Sequence, residues 1–339
     1  MRQLGLAVQL LLELALLGFA LLVAVGSLAA QTGRWIDRYD LFTHVALIWL
    51  AGGVLVLVLG LLHRCGWRKV AVLALGGVTV AAAGDLIAPE FTRARSPLAA
   101  ADAPCQVKIV SFNAWAENSN PQVVARWVAD QHPDLIVINE PNDQLLLEIP
   151  RLTGLETWKG GDQIIASRAG YISSRRSWDA RFLPGASVGV AWDRILIFPD
   201  LPITLLGVHA GWPIPARMAR GQDLRLVSIL NLEDRASAIM VGDYNSTEWS
   251  FRQRQADAAF GLERRDRAIP TWPARIPRWG KPDFPVAFMP IDHVYAGSNW
   301  RTVSVERGPR LGSDHYPLIT RLAWAGPLST ERMRRLCAR

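Results

Sequence analysis

Three short strings in the second half of the chain combine carboxylates, amides and histidines. They are GDYN at 242–245, IDH at 291–293 and GSDHYPL at 312–318. Carboxylate and amide oxygens are the ligands that hard divalent cations prefer. A histidine beside an acid can hold or donate a proton near neutral pH. Together, these residue types could bind a divalent cation and activate water for attack on a phosphate ester.

Polar side chains also adjoin six apolar stretches that are typical of strands. The residues at these boundaries are Asn113, Glu140, His209, Asp243 with Asn245, Asp292, and Asp314 with His315. Any one of them alone would be interpreted as a turn or capping residue. Because strand ends converge at one edge of a sheet, the six boundaries together predict one shared pocket.

The segments that must position these residues alternate between strand-like and helix-like patterns. Strands are predicted over 107–112, 135–139, 164–167, 187–192, 195–198, 204–209, 237–241, 288–295, 301–305 and 318–324. Helices are predicted over 121–131, 216–232 and 252–259. The stretch 269–290 is rich in proline, tryptophan and basic residues and predicts a long surface loop. This alternation predicts an α/β domain.

Three apolar runs precede this domain, at about residues 6–30, 43–62 and 70–88. Each run is long enough to cross a bilayer as a helix, although a cleaved signal peptide is an alternative interpretation of the first. The loop 63–69 carries Arg64, Arg68 and Lys69, so the positive-inside rule places it in the cytoplasm and everything after Ala88 outside. We therefore expect a multi-pass protein of the inner (plasma) membrane, with the lipid bilayer as a partner and a periplasmic catalytic domain.

The composition and net charge of the chain exclude some classes of protein and favour others. The 339 residues are 50% hydrophobic and 20% charged, which excludes a disordered chain. The net charge of +7 fits an anionic substrate or a membrane surface and does not indicate dedicated nucleic-acid binding. Cys105 and Cys337 lie at the two ends of the soluble part, where they could form a disulfide or remain two separate thiols. The sequence indicates no obligate protein partner.

The order and separation of GDYN and SDHYP, with the other strand-end residues, resemble the endonuclease/exonuclease/phosphatase superfamily, here as a membrane-anchored bacterial member. The resemblance covers residues 107–324. It implies a four-layer α/β sandwich, in which two stacked mixed β-sheets are flanked by helices. We therefore divide the chain into a membrane region (1–91), a linker (92–104), the catalytic domain (105–326) and a basic tail (327–339).

The resemblance implies that Glu140, helped by Asn113 and Asp314, binds Mg²⁺ or Mn²⁺. The cation would polarise the phosphoryl oxygen and stabilise the leaving group. Two positions depart from the family pattern. Abasic-site endonucleases have an acid where this chain has Trp115, which argues against that branch. The residue before the metal-binding glutamate is usually glutamine, but here it is Asn139.

The resemblance also implies a catalytic group of His315, Asp292, Asp243 and Asn245, with His209 as a second donor to the developing charge. His315 would transfer a proton or stabilise charge, while Asp292 or Asp314 accepts its other ring N–H. Asp243 would orient or deprotonate the attacking water. Asn245 would bind a phosphate oxygen.

We therefore expect a membrane-anchored, metal-dependent phosphoesterase that hydrolyses phosphodiester or phosphomonoester bonds. Its substrate could be a lipid headgroup, a nucleic acid or a small phosphodiester. One alternative is a membrane-anchored nuclease that acts on extracytoplasmic DNA or RNA, and another is a catalytically silent binding module. Four tryptophans near the motifs or in the long loop could be core residues, rest in the membrane interface or stack on a ring: Trp212, Trp249, Trp272 and Trp279.

Overall fold

The computed structural model describes residues 2–63, 66–168, 177–179, 189–198, 201–214, 216–275 and 283–327. The chain divides into two compact units. The first contains Met1–Arg93 and Trp249–Arg254, and the second contains Ala94–Glu248 and Gln255–Arg339.

The first unit is helical. Its helices are α1 (Arg2–Thr32), a 3₁₀ helix (Asp37–Val45), α2 (Ala46–Leu62) and α3 (Trp67–Thr92). Three segments are long and apolar enough to cross a membrane, namely Ala7–Thr32, Asp37–Leu62 and Trp67–Thr92, with mean hydropathies of 2.4, 2.7 and 2.0. This confirms the three predicted apolar helices, although the third is longer at both ends than the predicted 70–88.

The six residues Trp249–Arg254 belong to the same unit as the apolar helices. Trp249 is buried in a cluster with Ala30 and Leu86. The carboxylate of Asp40 accepts the backbone N–H groups of Phe251 and Arg252, each at 2.9 Å. Asp40 therefore satisfies two backbone donors at the start of a later helix, which the sequence pattern did not predict.

The second unit contains the twelve strands found among the described residues. In chain order they are β1 (Gln106–Asn113), β2 (Leu135–Asn139), β3 (Glu156–Gly160), β4 (Gln163–Ser167), β5 (Ser177–Asp179), β6 (Gly189–Phe198), β7 (Leu201–His209), β8 (Ile239–Asp243), β9 (Glu263–Arg264), β10 (Asp292–Ala296), β11 (Trp300–Arg307) and β12 (Leu318–Trp324). The remaining helices are α4 (Pro121–Asp130), α5 (Asp143–Thr153), α6 (Ala216–Leu230) and α7 (Phe251–Phe260).

The strands form two six-stranded sheets, in the orders β11-β12-β1-β2-β4-β3 and β5-β6-β7-β8-β10-β9. Each sheet has one parallel pair near its centre, β1 with β2 and β7 with β8. The other neighbours are antiparallel. Both sheets are therefore mixed, as predicted.

Buried side chains hold four layers together. One cluster lies between the sheets and includes Ile109 and Val137 from the first and Leu205 and Val241 from the second. Because successive residues of a strand point to opposite faces, Ile109 joins this cluster while Val110 packs with α4 and α5. A third cluster joins the outer face of the second sheet to α6 and α7. The predicted four-layer sandwich is confirmed.

The segment after α3 is hydrogen-bonded within the second unit from Arg95 onward. The Arg95 guanidinium donates to the carbonyl of Arg265 at 2.7 Å, and the Ser96 backbone N–H donates to Glu263 Oε1 at 2.8 Å. Cys105 is disulfide-bonded. Its predicted partner Cys337 and the tail after 327 lie outside the described residues, so that pairing stays a prediction.

Gly242 permits the close approach of β7 and β8. Its φ is +145°, and an added Cβ would lie 2.0 Å from the carbonyl oxygen of Val208. We expect Gly242→Ala to lower the midpoint of thermal unfolding by about 10 °C or more, because backbone cannot move aside for the methyl group. The control is Gly221→Ala in α6, where nothing lies within 4 Å of an added Cβ. Equal midpoints for the two variants in the purified full-length protein would contradict this reading.

Candidate active site

The carboxyl ends of the two parallel strand pairs carry four of the predicted site residues. Asn113 pairs with Asn139 at the end of β1 and β2, and Glu140 follows directly. His209 pairs with Asp243 at the end of β7 and β8. The two sheets stack face to face, so these ends lie at the same edge of the sandwich.

Two antiparallel strands bring the remaining motifs to this edge. Asp292 begins β10 directly opposite Asp243. The residues before β12 turn back over the end of β1, where the Ser313 hydroxyl donates to the Asn113 carbonyl at 2.7 Å and accepts the His315 backbone N–H at 3.0 Å. The structure thus joins strand ends that are about 200 residues apart in the chain.

Asn113 and Asn139 connect the two sheets at the floor of the site. The Asn113 amide nitrogen donates to Glu140 Oε1 at 3.0 Å and to Asp243 Oδ2 at 3.1 Å. The Asn139 side chain is buried, donates to the Val208 carbonyl at 3.0 Å and accepts the Asp243 backbone N–H at 3.3 Å. Asn139, which departs from the family pattern, therefore fixes the position of one sheet relative to the other.

His315 lies between two buried carboxylates. Its Nδ1 is 2.8 Å from Asp292 Oδ2, and its Nε2 is 3.6 Å from Asp243 Oδ2. Of the two acids considered as its partner, Asp292 holds the ring. Burial alone would lower the pKa of His315, but the charges of Asp292 and Asp243 outweigh it and raise the pKa to about 10. The ring is therefore an imidazolium at neutral pH.

Asp243 is almost completely buried, and its environment disfavours the carboxylate. Burial raises the pKa of Asp243 to about 6, against the opposing effect of the His315 charge and together with the charge of Asp292. A carboxyl group with a pKa near neutrality is suited to accept a proton during a reaction.

His209 is held by an acid that sequence reasoning missed. Its Nδ1 is 2.5 Å from Asp162 Oδ2, and its Nε2 is 3.5 Å from Glu140 Oε1. The Glu140 backbone N–H also donates to the Asp162 carbonyl at 2.8 Å. Burial lowers the pKa of His209, but the hydrogen bond and charge of Asp162 give a net increase. Asp162 lies in the turn between β3 and β4. The one sequence feature that could have drawn attention to this acid is the string GGD at 160–162.

We expect Asp162→Asn to lower kcat/KM by roughly 10- to 100-fold, because the neutral amide orients the His209 ring less firmly and no longer raises its pKa by its charge. The matched control is Asp130→Asn on the exposed end of α4, which should leave kcat/KM unchanged. Steady-state kinetics of the two variants, with thermal unfolding to check the fold, measure the effect. If the Asp162→Asn enzyme is as active as the control, catalysis does not depend on the contact between Asp162 and His209.

Asn245 and Asp314 have partners that bear on their predicted roles. The Asn245 backbone N–H donates to Asp243 Oδ1 at 2.8 Å, and its amide nitrogen donates to the Ala210 carbonyl at 2.8 Å. Asn245 thus orients Asp243 and the loop after β7. Asp314 Oδ2 accepts the Trp272 indole N–H at 3.2 Å. Phosphate binding by Asn245 and metal binding by Asp314 stay predictions.

The histidine of the IDH string lies beneath the site and was not predicted as a site residue. His293 is fully buried, with Nδ1 at 2.7 Å from Asp266 Oδ2 and Nε2 at 2.8 Å from the Ser246 carbonyl. Two acceptors require two ring protons, so His293 is an imidazolium. Burial lowers its pKa, but the charge of Asp266 gives a net increase. The pair anchors the loop that follows Asn245.

The donor set fits a divalent cation. Side-chain atoms of Asp243, Asp292 and His315 all lie within 4.8 Å of one another. Because the protonated His315 ring has no lone pair to offer a metal, only the two carboxylates of this group are candidate ligands. Asp292 Oδ1 is buried and, among the described residues, has no hydrogen-bond partner. Glu140 adds a partly exposed carboxylate beside Asn113. Hard oxygen ligands of this kind suit Mg²⁺ or Mn²⁺.

Comparison with known proteins agrees with this geometry. A sequence profile of the Endonuclease/Exonuclease/phosphatase family matches residues 110–315, which is more than half of the chain. The chain belongs to the endonuclease/exonuclease/phosphatase family. The family consists of hydrolases that act on phosphate-ester bonds, and this member is a hydrolase of that class. No curated protein sequence matches the chain.

Solved structures show the same family fold. An endonuclease/exonuclease/phosphatase family protein from Bacteroides thetaiotaomicron is 15% identical, with a TM-score of 0.50 over 65% of this chain and 98% of that one. A mannosyl-6-phosphatase from the same organism is 13% identical, with a TM-score of 0.50 over 64% and 100%. TDP2 from D. rerio, complexed with a single-strand DNA product, is 14% identical, with a TM-score of 0.50 over 64% and 98%.

The tryptophans near the motifs have different environments. Trp249 is buried in the first unit, and Trp272 contacts Asp314. Trp279 lies outside the described residues. Trp212 is 71% exposed. Of the three described tryptophans near the motifs, Trp212 is therefore the one with a largely exposed side chain.

Proposed function

We propose that this family member is a membrane-anchored, divalent-metal-dependent phosphoesterase that hydrolyses phosphodiester or phosphomonoester bonds by attack of water. The observation that supports this most strongly is the convergence of Asp243, Asp292 and His315 at the edge that also carries Glu140 and His209. Asp243 can accept a proton, and the His315 imidazolium can stabilise negative charge.

Glu140, with Asn113 and Asp314 as the other predicted donors, would hold Mg²⁺ or Mn²⁺. When bound, the cation supplies Lewis-acid polarisation of the phosphoryl oxygen and stabilisation of the leaving group. In this structure the Asn113 amide nitrogen faces the carboxylates of Glu140 and Asp243. That contact supports an additional role for Asn113 in orienting both acids.

Asp243 would accept the proton of the attacking water. The water oxygen forms a bond to phosphorus, the ester P–O bond breaks, and the leaving alcohol takes up a proton. The His315 imidazolium, held by Asp292, would stabilise the negative charge that develops on the phosphoryl oxygens. His209, held by Asp162, would provide a second hydrogen-bond donor to the developing charge on the Glu140 side.

We also propose that the catalytic domain is extracytoplasmic. The support is the cluster of Arg64, Arg68 and Lys69 between the second and third apolar segments, which favours a cytoplasmic location for that loop. With three spans, the chain after Thr92 would then lie on the opposite side of the membrane.

The proposed function is tested with the purified full-length protein in detergent micelles. Hydrolysis of bis-p-nitrophenyl phosphate, p-nitrophenyl phosphate, plasmid DNA and phospholipid vesicles is followed in Mg²⁺, in Mn²⁺ and in EDTA. We expect turnover of at least one ester in the presence of metal and none in EDTA. Turnover that persists in EDTA would refute metal dependence. Cleavage of DNA alone, weakened steeply by salt, would instead support a nuclease.

A further inference from the structure

The loop that follows β7 exposes two large apolar side chains close to the site. His209 ends the strand, Ala210 and Gly211 are buried, and then Trp212 is 71% exposed and Ile214 is 60% exposed. Three residues of chain span at most about 11 Å, so Trp212 is anchored within that distance of His209. Large apolar side chains exposed together next to a functional site are a feature of surfaces that bind a partner.

The base of this loop is fixed to the site itself. The Ala210 backbone N–H donates to the Asp243 carbonyl at 2.8 Å, and the Ala210 carbonyl accepts from the Asn245 amide at 2.8 Å. The Gly211 backbone N–H donates to the side chain of Gln222, which is buried on α6, at 3.0 Å. Ala210 and Gly211 are therefore held by hydrogen bonds, and they fix the start of the segment that exposes Trp212 and Ile214.

Because the same chain carries three apolar helices, a lipid bilayer is the partner that we expect to cover this loop. Helix α3 ends at Thr92, and Arg95 is already hydrogen-bonded to Arg265 within the second unit. The covalent connection between the last apolar helix and the second unit is thus only a few residues long. Tryptophan favours the membrane–water interface, where its ring is apolar and its N–H stays hydrated.

The sequence next to the loop fits an anionic membrane surface. Directly after it, the stretch 216–225 contains Arg217, Arg220 and Arg225 against a single acid, Asp223. Apolar side chains flanked by arginines are the combination by which peripheral segments bind anionic lipids.

We propose that the loop 210–214 inserts Trp212 and Ile214 into the interface of an anionic bilayer and so presents the site to the phosphate ester of a membrane lipid. The substrate class is then an amphiphilic phosphodiester or phosphomonoester whose acyl chains remain in the bilayer. The proposed insertion into the membrane is argued from the loop and the neighbouring arginines, and it does not depend on catalytic activity. The proposed substrate class rests on the proposed function.

Docking is tested by fluorescence. The full-length protein and its Trp212→Phe variant are reconstituted in phosphatidylcholine–phosphatidylglycerol bilayers, with and without bromine on the acyl chains. The wild-type minus variant spectrum isolates the emission of Trp212, and we expect bromine to quench it. The matched control is Trp127→Phe on α4, whose difference spectrum should be insensitive to bromine. An unquenched Trp212 signal overturns the docking proposal, whether or not the protein is active.

The substrate class is tested by kinetics in the same bilayers. Two esters with the same leaving group are compared, a diacylglycerol p-nitrophenyl phosphodiester and soluble bis-p-nitrophenyl phosphate. We expect Trp212→Ser/Ile214→Ser to lower the ratio of the two kcat/KM values by about tenfold. Leu147→Ser, an equally exposed apolar position on α5, should leave the ratio unchanged.

The outcomes separate the two proposals. A ratio that the double variant does not change overturns the lipid substrate class, even if Trp212 is quenched. If the wild type hydrolyses neither of these diesters, the lipid substrate class is overturned, and the proposed function fails only if none of the four substrates of its own test is turned over. The quenching result decides the docking of the loop in either case.

Discussion

Replacing His315 with glutamine is expected to lower kcat/KM for phosphate-ester hydrolysis by roughly 10²- to 10⁴-fold. Glutamine keeps a hydrogen-bonding side chain of similar reach but carries no positive charge. His315 is buried, with Nδ1 at 2.8 Å from Asp292 and Nε2 at 3.6 Å from Asp243. Its charge is therefore placed where water cannot replace it. Steady-state kinetics with bis-p-nitrophenyl phosphate measure the loss.

The matched control for this variant is His132→Gln. His132 is exposed in the turn after α4, and its substitution should leave kcat/KM within about twofold of the wild type. Both variants should unfold with wild-type cooperativity in a thermal scan. A His315→Gln enzyme that is well folded and as active as the His132→Gln enzyme would contradict the assigned role.

The dependence of kcat/KM on pH provides an independent measure of the protonation of His315. Because Asp292 and Asp243 raise the pKa of His315 to about 10, the imidazolium is present below that pH and is lost above it. Activity should therefore fall as the pH rises through about 10. Asp292→Asn removes a negative charge beside the ring, so the descending limb should move to lower pH.

Asp243→Asn is expected to cause a loss of similar size, roughly 10²- to 10⁴-fold in kcat/KM. The amide has the same shape as the acid but cannot accept a proton from water. Burial raises the pKa of Asp243 to about 6, so the wild-type rate should rise as the carboxylate forms through that pH. In the variant, the residual rate should lack this ascending limb.

Asp102→Asn in the exposed segment before β1 is the control for this second variant, and it should retain both the rate and the ascending limb. Retention of the limb near pH 6 in Asp243→Asn would assign the proton acceptor to another group. The two inflections belong to interacting groups, so they are compared between variants as properties of the Asp243–His315 pair.

The strands that carry the site were predictable because their two faces are both buried. Leu135 to Ile138 is a continuous apolar run, Val107 to Phe112 is apolar except at Lys108 and Ser111, and each is followed by an asparagine. That contrast marked Asn113 and Glu140 as candidates, and its recurrence at six strand boundaries predicted a shared pocket. The same contrast marked Asp243 and His209.

Local features hid other elements. Helix α5 is capped by Asn142 before it and by Gly154 after it, where φ is +68°, but Pro150 within the helix obscured the helical pattern. Strand β6 is one strand over Gly189–Phe198, where two were predicted, because the charged pair at 193–194 resembled a break. The residues 187–188 of that prediction lie outside the described residues.

The partners of the site residues could not be predicted, because they depend on contacts between distant segments. Asp162 reaches His209 across 47 positions, and Asp266 reaches His293 across 27. Asn139 joins the two sheets only after both have formed. No spacing rule on a single strand or helix indicates such pairs, whereas the strand-end rule indicates the residues that they orient.

The most direct test of the central claim is a hydrolysis by the full-length protein in ¹⁸O-labelled water. The claim is that water, activated at Asp243, attacks phosphorus next to His315. Bis-p-nitrophenyl phosphate is turned over with Mg²⁺ or Mn²⁺, and the products are analysed by mass spectrometry. Attack of water on phosphorus places one ¹⁸O atom in each p-nitrophenyl phosphate and none in p-nitrophenol, and Asp243→Asn should give no product on the same timescale. Label in the phenol, unlabelled phosphate, or equal turnover by Asp243→Asn would contradict the claim.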